Sequence, residues 1–353
     1  MTPARAATLA VAIAASGVLG GCLPSSQRQN DRTISATDSA SIALAEQAPV
    51  DTLRLVWDAS APETDPMPIP TSLAFVGDGL AVVESQEGSV RQFDRDGTYR
   101  GRTTLPTESY PYVAGARGDT LVVLSRGLEQ LLWVVPGEGV ARSVPVPQGA
   151  QQGVATDSML AVRVGGGIDT TTAPAVVWLD ERGGERVRQP LLGPRWRSIG
   201  FARARGDSVL ALSGYRPVVD VATEAGADTL ALVGFSSPQL VRSAQFMRGD
   251  VDEPPLLTSS AATLKDRLFV LNLRTDHLRV DVYDPAGDLQ RVLVTPLVRA
   301  VETVVAMDLA VRERPDGTVE MAVLWTRPPG ILQRPESRVA LYRWRTPRAS
   351  ASG

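Results

Sequence analysis

Residues 78–83 read Asp-Gly-Leu-Ala-Val-Val, and the same short pattern recurs along the chain. In each copy, a turn that contains an aspartate leads into a run of mostly aliphatic residues, as expected for a β-strand that follows a tight turn. The later copies begin at Asp119, Asp157, Asp207, Asp266 and, in a looser form, Asp316. Six copies spaced 38 to 59 residues apart indicate six units of similar structure.

A second element follows several of these copies. It is a strand that ends in Asp-x-x-Gly, as in residues 90–97, 176–183 and 280–287, with a variant at 133–139. An aspartate that opens a turn and a glycine that accepts positive φ three residues later are typical of β-hairpins. Units of this length with four short strands are typical of propeller blades. The sequence therefore predicts an all-β fold, a six-bladed β-propeller with four-stranded blades.

The last unit is one strand short. Strands are predicted near 319–325 and 339–344, and the chain ends in a polar tail at 347–353 that we expect to be disordered. The segment Thr52–Trp57 precedes the first unit and alternates like a strand. We expect this N-terminal strand to complete the last blade and close the ring, because closure leaves no free sheet edge. The predicted propeller spans residues 51–346.

The first unit, residues 69–106, resembles the NHL-type repeat of six-bladed propellers. The matching features are Pro70 before the inner strand, Gly-Asp-Gly at 77–79, and Phe-Asp-x-Asp-Gly at 93–97. The later units match more loosely and carry insertions, of which the most notable is predicted at 216–228. The resemblance implies a fold, and this fold hosts many functions.

The N-terminus has the features of a cleaved leader. Arg5 precedes an apolar run, Ala6–Leu19, that is shorter than the roughly 20 residues needed to span a bilayer. The run closes on Leu-Gly-Gly-Cys at 19–22, which resembles the bacterial lipobox. The resemblance implies that residues 1–21 are a lipoprotein signal peptide and that Cys22 is acylated. The protein would then be anchored to a membrane of the bacterial cell envelope.

Two features refine this expectation. Leu23, rather than an aspartate, follows the cysteine, which favours the outer membrane, on its periplasmic or surface face. Residues 22–50 are rich in Ser, Gln, Ala and Thr and are predicted to form a flexible tether after the acylated cysteine, with a weak helix conceivable at 34–45.

Composition excludes several classes of protein. The 353 residues carry a formal net charge of −3 and no basic block, so we do not expect nucleic acid as a partner. His277 is the single histidine and Cys22 the single cysteine, which excludes an intramolecular disulfide and any zinc site with several His or Cys ligands. Positive charge is carried almost entirely by arginine, a planar group that binds carboxylates and phosphates.

Arginines recur where a propeller usually has its site, at one mouth of the central channel. They close five of the six predicted second strands, and the connections into the inner strands add aromatic residues and a further arginine. The residues of this predicted site are Arg126, Arg163, Arg216, Arg274, Arg327, Tyr110, Tyr112, Trp196 and Arg197. Such a set predicts a binding site for an anion such as a uronate, a peptide carboxylate or a phosphate.

Other motifs give weaker indications. Gly165–Gly167 lacks the Gly-Lys-Ser/Thr of a phosphate loop, and the acidic residues at 250–253 match no calcium-binding spacing. His277 beside Asp276 has the composition of a general base, but a lone histidine in an outer loop is usually not catalytic. We therefore predict no catalytic residue, no metal site and no cofactor.

Two functions remain open. The first is a membrane-anchored, non-enzymatic scaffold that binds an anionic glycan, a peptide or another envelope protein. The alternative is a propeller enzyme of lactonase or hydrolase type that acts in the periplasm or at the cell surface. A calcium lactonase needs Asp, Asn and Glu around the channel, and the chain after the leader has two asparagines, Asn30 and Asn272. This count favours the scaffold.

Overall fold

An N-terminal arm precedes the first blade and consists of α1 (Ala36–Gln47), β1 (Val50–Thr52) and β2 (Arg54–Ala59). The structure is a computed structural model and describes residues 36–165, 173–193, 199–274, 277–296, 305–327 and 336–345.

The first three blades are consecutive four-stranded antiparallel sheets. Blade 1 contains β3 (Pro70–Val76), β4 (Gly79–Glu84), β5 (Ser89–Phe93) and β6 (Tyr99–Thr104). Blade 2 contains β7 (Pro111–Arg117), β8 (Thr120–Ser125), β9 (Gln130–Val135) and β10 (Gly139–Pro145). Blade 3 contains β11 (Ala150–Ala155), β12 (Leu160–Val164), β13 (Ala175–Leu179) and β14 (Glu185–Pro190).

The remaining blades are less regular, since two of them include strands of the N-terminal arm. Blade 4 contains β15 (Gly200–Arg205), β16 (Ser208–Ser213), β17 (Val218–Thr223) and β18 (Gly226–Ala231), and α2 (Leu240–Arg248) follows it. Blade 5 contains β19 (Thr258–Leu264), β20 (Arg267–Asn272), β21 (Arg279–Tyr283) and β22 (Leu289–Val294). Blade 6 contains β23 (Val305–Glu313), β24 (Thr318–Arg327) and β25 (Glu336–Arg345).

The first strand of each blade is the innermost strand of the ring. It contacts the first strand of the next blade, and β23 contacts β3, so the six blades surround one central axis. Apolar side chains fill the spaces between blades, because the second strands are covered on both faces. The predicted six-bladed β-propeller is confirmed.

The ring is closed by the N-terminal arm, as the sequence predicts. β2 pairs antiparallel with β25, from Arg54 opposite Arg343 to Ala59 opposite Val339, and is the outermost strand of blade 6. One detail differs from the prediction. Thr52 belongs to β1, which adds a fifth, parallel strand to the outer edge of blade 5 beside β22. The chain crosses from one blade to the other at the buried Leu53, and the sequence alternates without a break at that crossing.

The predicted hairpin turns form in blades 1, 3 and 5. Gly97, Gly183 and Gly287 have φ values of 87°, 85° and 87°, which only glycine adopts readily. In blade 3, the Asp180 carboxylate accepts hydrogen bonds from the backbone N–H groups of Arg182 and Gly184. The local sequence therefore determines the outer edge of these blades.

Two segments differ from the expectations. Residues 216–228 do not form an insertion, because they supply the outer hairpin of blade 4. The extra chain instead lies between β18 and β19 and includes α2, whose Leu240 packs beside Phe235 in a buried cluster. The helix α1 lies within the predicted tether. It packs on the same cluster through Ile42, and the Ser41 hydroxyl donates a hydrogen bond to the Phe235 carbonyl.

No helix in the described part of the chain is both long and apolar enough to cross a membrane.

Candidate functional site

The loops that carry the predicted arginines lie at one end of the ring. In five blades, the backbone N–H at the end of the second strand donates a hydrogen bond to the carbonyl of the residue that enters the first strand. These bonds join Ser85 to Ile69, Arg126 to Tyr110, Gly165 to Gly149, Gly214 to Ile199, and Leu273 to Leu257. The two kinds of loop therefore share one face, which we call the mouth.

Arg126 lies at the mouth between blades 2 and 3. Its guanidinium carbon is 3.7 Å from the centroid of the Tyr112 ring. Its Nε and Nη2 donate hydrogen bonds of 2.9 and 2.5 Å to the carbonyl oxygen of Gln151. Burial lowers the pKa of Arg126. The backbone carbonyl orients this guanidinium group without supplying a negative charge.

Arg163 lies deeper, at the end of β12, and its residue surface is 3% exposed. Its Nη2 donates a 2.8 Å hydrogen bond to the Gly200 carbonyl of blade 4. Burial lowers the pKa of Arg163 to about 9, and the positive charges of Arg126 and Arg203 act in the same direction. Asp220 raises the pKa but does not outweigh these effects. Arg163 therefore lies buried near two positive groups and one carboxylate.

Arg203 connects this region to the central axis. It lies on β15, and its Nη2 donates a 3.0 Å hydrogen bond to Oδ1 of Asp308 on β23. Asp308 also accepts hydrogen bonds from the Ser260 hydroxyl of blade 5 and from the Leu73 backbone N–H of blade 1. Burial raises the pKa of Asp308, and the positive charge of Arg203 opposes that effect. One carboxylate thus joins four blades across the axis.

Arg126, Arg163 and Arg203 come from three consecutive blades, and we call them the mouth arginine cluster. Two carboxylates, Asp220 and Asp308, interact with this cluster. Arginine prefers to bind planar anions through two parallel hydrogen bonds. The chemistry that this arrangement supports is electrostatic binding of an anion at the mouth.

The structure describes some of the other predicted site residues, and these lie outside the cluster. Arg216 is half-buried on the mouth loop of blade 4. Arg274 donates a 2.8 Å hydrogen bond to the Ser236 carbonyl, and its charge weakly opposes the rise in pKa that burial causes at Asp281. Arg327 ends β24 opposite Glu336. Tyr110, with 54% of its surface exposed, lies on the mouth. Trp196, Arg197 and Cys22 lie outside the described residues.

The structure adds little support for the weaker site candidates, which are His277, the acidic loop at 250–253 and the glycine run at 165–167. His277 is half-buried on the mouth side of blade 5, and its neighbour Asp276 lies outside the described residues. In the acidic loop, Asp250 forms an ion pair with Arg248. Across the described ranges, no group of three or more His, Cys, Asp or Glu side chains is placed to hold a metal ion. Gly166 and Gly167 are outside these ranges.

Arg203, Ser260 and Asp308 were not predicted as site residues. A signal for them exists in the sequence, because each places a polar side chain on an inner strand that is otherwise mostly apolar or small. The pattern Phe-Ala-Arg-Ala-Arg at 201–205 is the clearest case. Alternation places Arg203 on one face of its strand, but only the closed ring brings Asp308 to that face.

Comparison with solved structures finds propellers. A member of the DUF4221 family from Bacteroides vulgatus aligns with a TM-score of 0.50 and 10% identity, covering 83% of this chain and 98% of that one. A putative exported protein from Bacteroides fragilis gives 0.49 and 9%, with coverage of 89% and 98%. Virginiamycin B lyase from Staphylococcus aureus gives 0.47 and 9%, with coverage of 83% and 99%. No family model and no curated protein matches the chain. The similarity with a TM-score of 0.50 supports the fold.

Proposed function

We propose that the protein is a lipoprotein of the bacterial cell envelope whose propeller is a non-enzymatic scaffold for an anionic glycan or peptide. The observation that carries the binding part is the mouth arginine cluster. In this cluster, Arg126 and Arg163 donate hydrogen bonds to backbone carbonyls of the neighbouring blades, and the charges of Arg126 and Arg203 act on Arg163. An anion at the mouth would bring a charged acceptor to these three guanidinium groups.

The surroundings of the cluster favour a ligand with both a charge and a flat or apolar face. Arg126 stacks on Tyr112, and the exposed Tyr110 lies beside the same loop. Aromatic rings contribute contact area with little loss of conformational freedom, and they suit sugar rings as well as peptide side chains. Uronate-containing glycans and acidic peptides combine such a face with a carboxylate.

Binding is tested by calorimetry with digalacturonate and a short acidic peptide as probes. Arg126→Gln removes one charge-assisted hydrogen bond of about 1.5–3 kcal/mol, which corresponds to a roughly tenfold or larger loss of affinity. Arg267→Gln is the matched control, because Arg267 is exposed and starts β20 at the opposite end of the ring. Equal affinities for wild type, Arg126→Gln and the control would reject the mouth as the binding site.

The anchoring part rests on the leader, in which the single cysteine follows the apolar run. Two acyl signals are needed for stable attachment to a membrane, and lipoprotein processing supplies them at one cysteine. Detergent phase partitioning of wild type and Cys22→Ser is the test. We expect only the wild type to be cleaved and to enter the detergent phase as a processed protein. A processed, detergent-soluble Cys22→Ser protein would contradict the proposal.

A further inference from the structure

A cleft of about 470 Å³ opens at the end of the ring opposite the mouth, where the N-terminal arm crosses from blade 5 to blade 6. That volume lies within the range of small-molecule sites. The lining comprises Asp51, Thr52, Arg54, Arg314, Asp316, Thr318, Arg343, Trp344 and Arg345. Four of these nine residues are arginines, in a chain whose formal net charge is −3.

A row of charged side chains crosses blade 6 at this cleft. The strand register places Arg312 opposite Glu320, Glu320 opposite Arg343, and Arg343 opposite Arg54. Directly opposed residues of an antiparallel sheet lie on the same face. From the inner strand to the outer one, the side-chain charges of this row are therefore positive, negative, positive and positive. The two outer positions of the row are both arginines.

Glu320 accounts for only part of this positive charge. Its side chain is 1% exposed, and its two oxygens lie 2.9–3.1 Å from guanidinium nitrogens of Arg312, Arg314 and Arg343. Burial raises its pKa, but the hydrogen bonds from these arginines outweigh burial and hold the pKa below its usual value. One carboxylate thus holds three cations, which leaves the group positively charged.

The two acids that line the cleft are already engaged. Asp51 accepts hydrogen bonds from the Trp344 indole at 2.8 Å and from Arg291 at 2.9 Å. Asp316 accepts one from the Thr318 backbone N–H at 3.0 Å, which contributes most to its lowered pKa. Asp316 also interacts electrostatically with Arg314 and Arg345, and Arg54 and Arg345 are exposed residues.

The pair of Arg54 and Arg343 has a physical cost in the unliganded protein. Like charges directly opposite each other on neighbouring strands destabilise a sheet. Glu320 offsets the charge of Arg343 but lies one strand further away from Arg54. An anion between the two outer strands would remove this repulsion, so the register itself indicates where a ligand would lie.

We propose that this cleft binds a phosphate ester. A phosphate monoester carries close to two negative charges and three acceptor oxygens, which suits several converging guanidinium groups better than a single carboxylate does. The source is either a soluble phosphorylated molecule or the headgroup of a phospholipid.

The test is calorimetry on the full chain at low salt with glycerol 3-phosphate and dihexanoyl phosphatidic acid as probes. The variant is Arg54→Gln/Arg345→Gln, which leaves the three arginines bound to Glu320 unchanged. Arg267→Gln again serves as the matched control, since Arg267 is an exposed arginine at the same end of the ring. We expect the double variant to bind both probes at least tenfold more weakly and the control to bind like wild type.

The two probes distinguish the source of the phosphate. Tenfold tighter binding of the short-chain lipid indicates a headgroup, and equal binding indicates a soluble ester. Absence of binding by wild type, or equal binding by wild type and double variant, would overturn the proposal. The single variant Arg54→Gln provides an independent readout without ligand. Its unfolding midpoint should equal or exceed that of wild type, and a clear decrease would show that Arg54 is structural and would contradict the argument.

Discussion

Replacing Asp308 by alanine tests whether one carboxylate holds the inner strands together. Asp308 is 1% exposed, and it pairs with Arg203, which is 20% exposed. Removing one partner of a buried ion pair costs about 3–5 kcal/mol, because the other charge stays buried without compensation. Asp308→Ala also leaves the Leu73 backbone N–H without its acceptor. Since Arg203 keeps some contact with water, we expect a loss near 3 kcal/mol.

Urea unfolding at neutral pH measures this loss as a shift of the midpoint at constant slope. The control is Arg203→Met/Asp308→Leu, which removes both charges and fills the space with apolar atoms. A buried pair replaced as a whole often costs little, so the double variant should be more stable than Asp308→Ala. A loss below about 1 kcal/mol for Asp308→Ala would refute the reasoning, because it would mean that the ion pair is not needed at the axis.

Two further predictions concern blade 6 and the N-terminal arm. Glu320→Gln should flatten the acid side of the profile of unfolding midpoint against pH. Because the pKa of Glu320 is lowered in the folded protein, Glu320 stabilises the wild type at pH values above the ordinary glutamate pKa of 4.5, and this contribution is lost as the pH falls through the folded-state pKa. Identical profiles for wild type and variant from pH 3 to 7 would contradict this prediction. Deleting residues 23–35 should leave the midpoint unchanged, whereas deleting 23–53 should cost at least about 2 kcal/mol because it removes the buried Leu53. The midpoints of thermal unfolding of the two truncated proteins test this prediction, and equal midpoints would show that the arm does not stabilise the ring.

The blades could be predicted from the sequence because their signals are local. A turn residue, a run of aliphatic residues and an Asp-x-x-Gly hairpin each lie within about ten residues, as in 78–83 and 176–183. Closure was also predictable, since the strand missing from the last unit had a counterpart at the N-terminus. The same local signals do not show where a strand ends when the chain crosses between sheets, and so the break at Leu53 was missed.

The mouth shows which features of a site can be predicted from the sequence and which require the tertiary structure. Loop position along each repeat was sufficient to expect Arg126 and Arg163 at one face, and the mouth loops do share that face. It was not sufficient to find the partners that orient them, because these are backbone carbonyls of the neighbouring blades. Every residue has a backbone carbonyl, so the sequence does not show which carbonyls accept these hydrogen bonds. Arg274 fits the same sequence pattern but interacts with Asp281 within its own blade.

What the sequence by itself determined is the repeat and the strand pattern within each repeat, both of which depend on neighbours in the chain. The tertiary structure alone decided which charges meet. Arg203 and Asp308 are 105 residues apart in sequence and share a hydrogen bond, and Arg54 lies opposite Arg343 only because the first strand closes the last blade. These pairings follow from ring closure and strand register. A shift of the register by one residue would turn each side chain to the other face of its sheet.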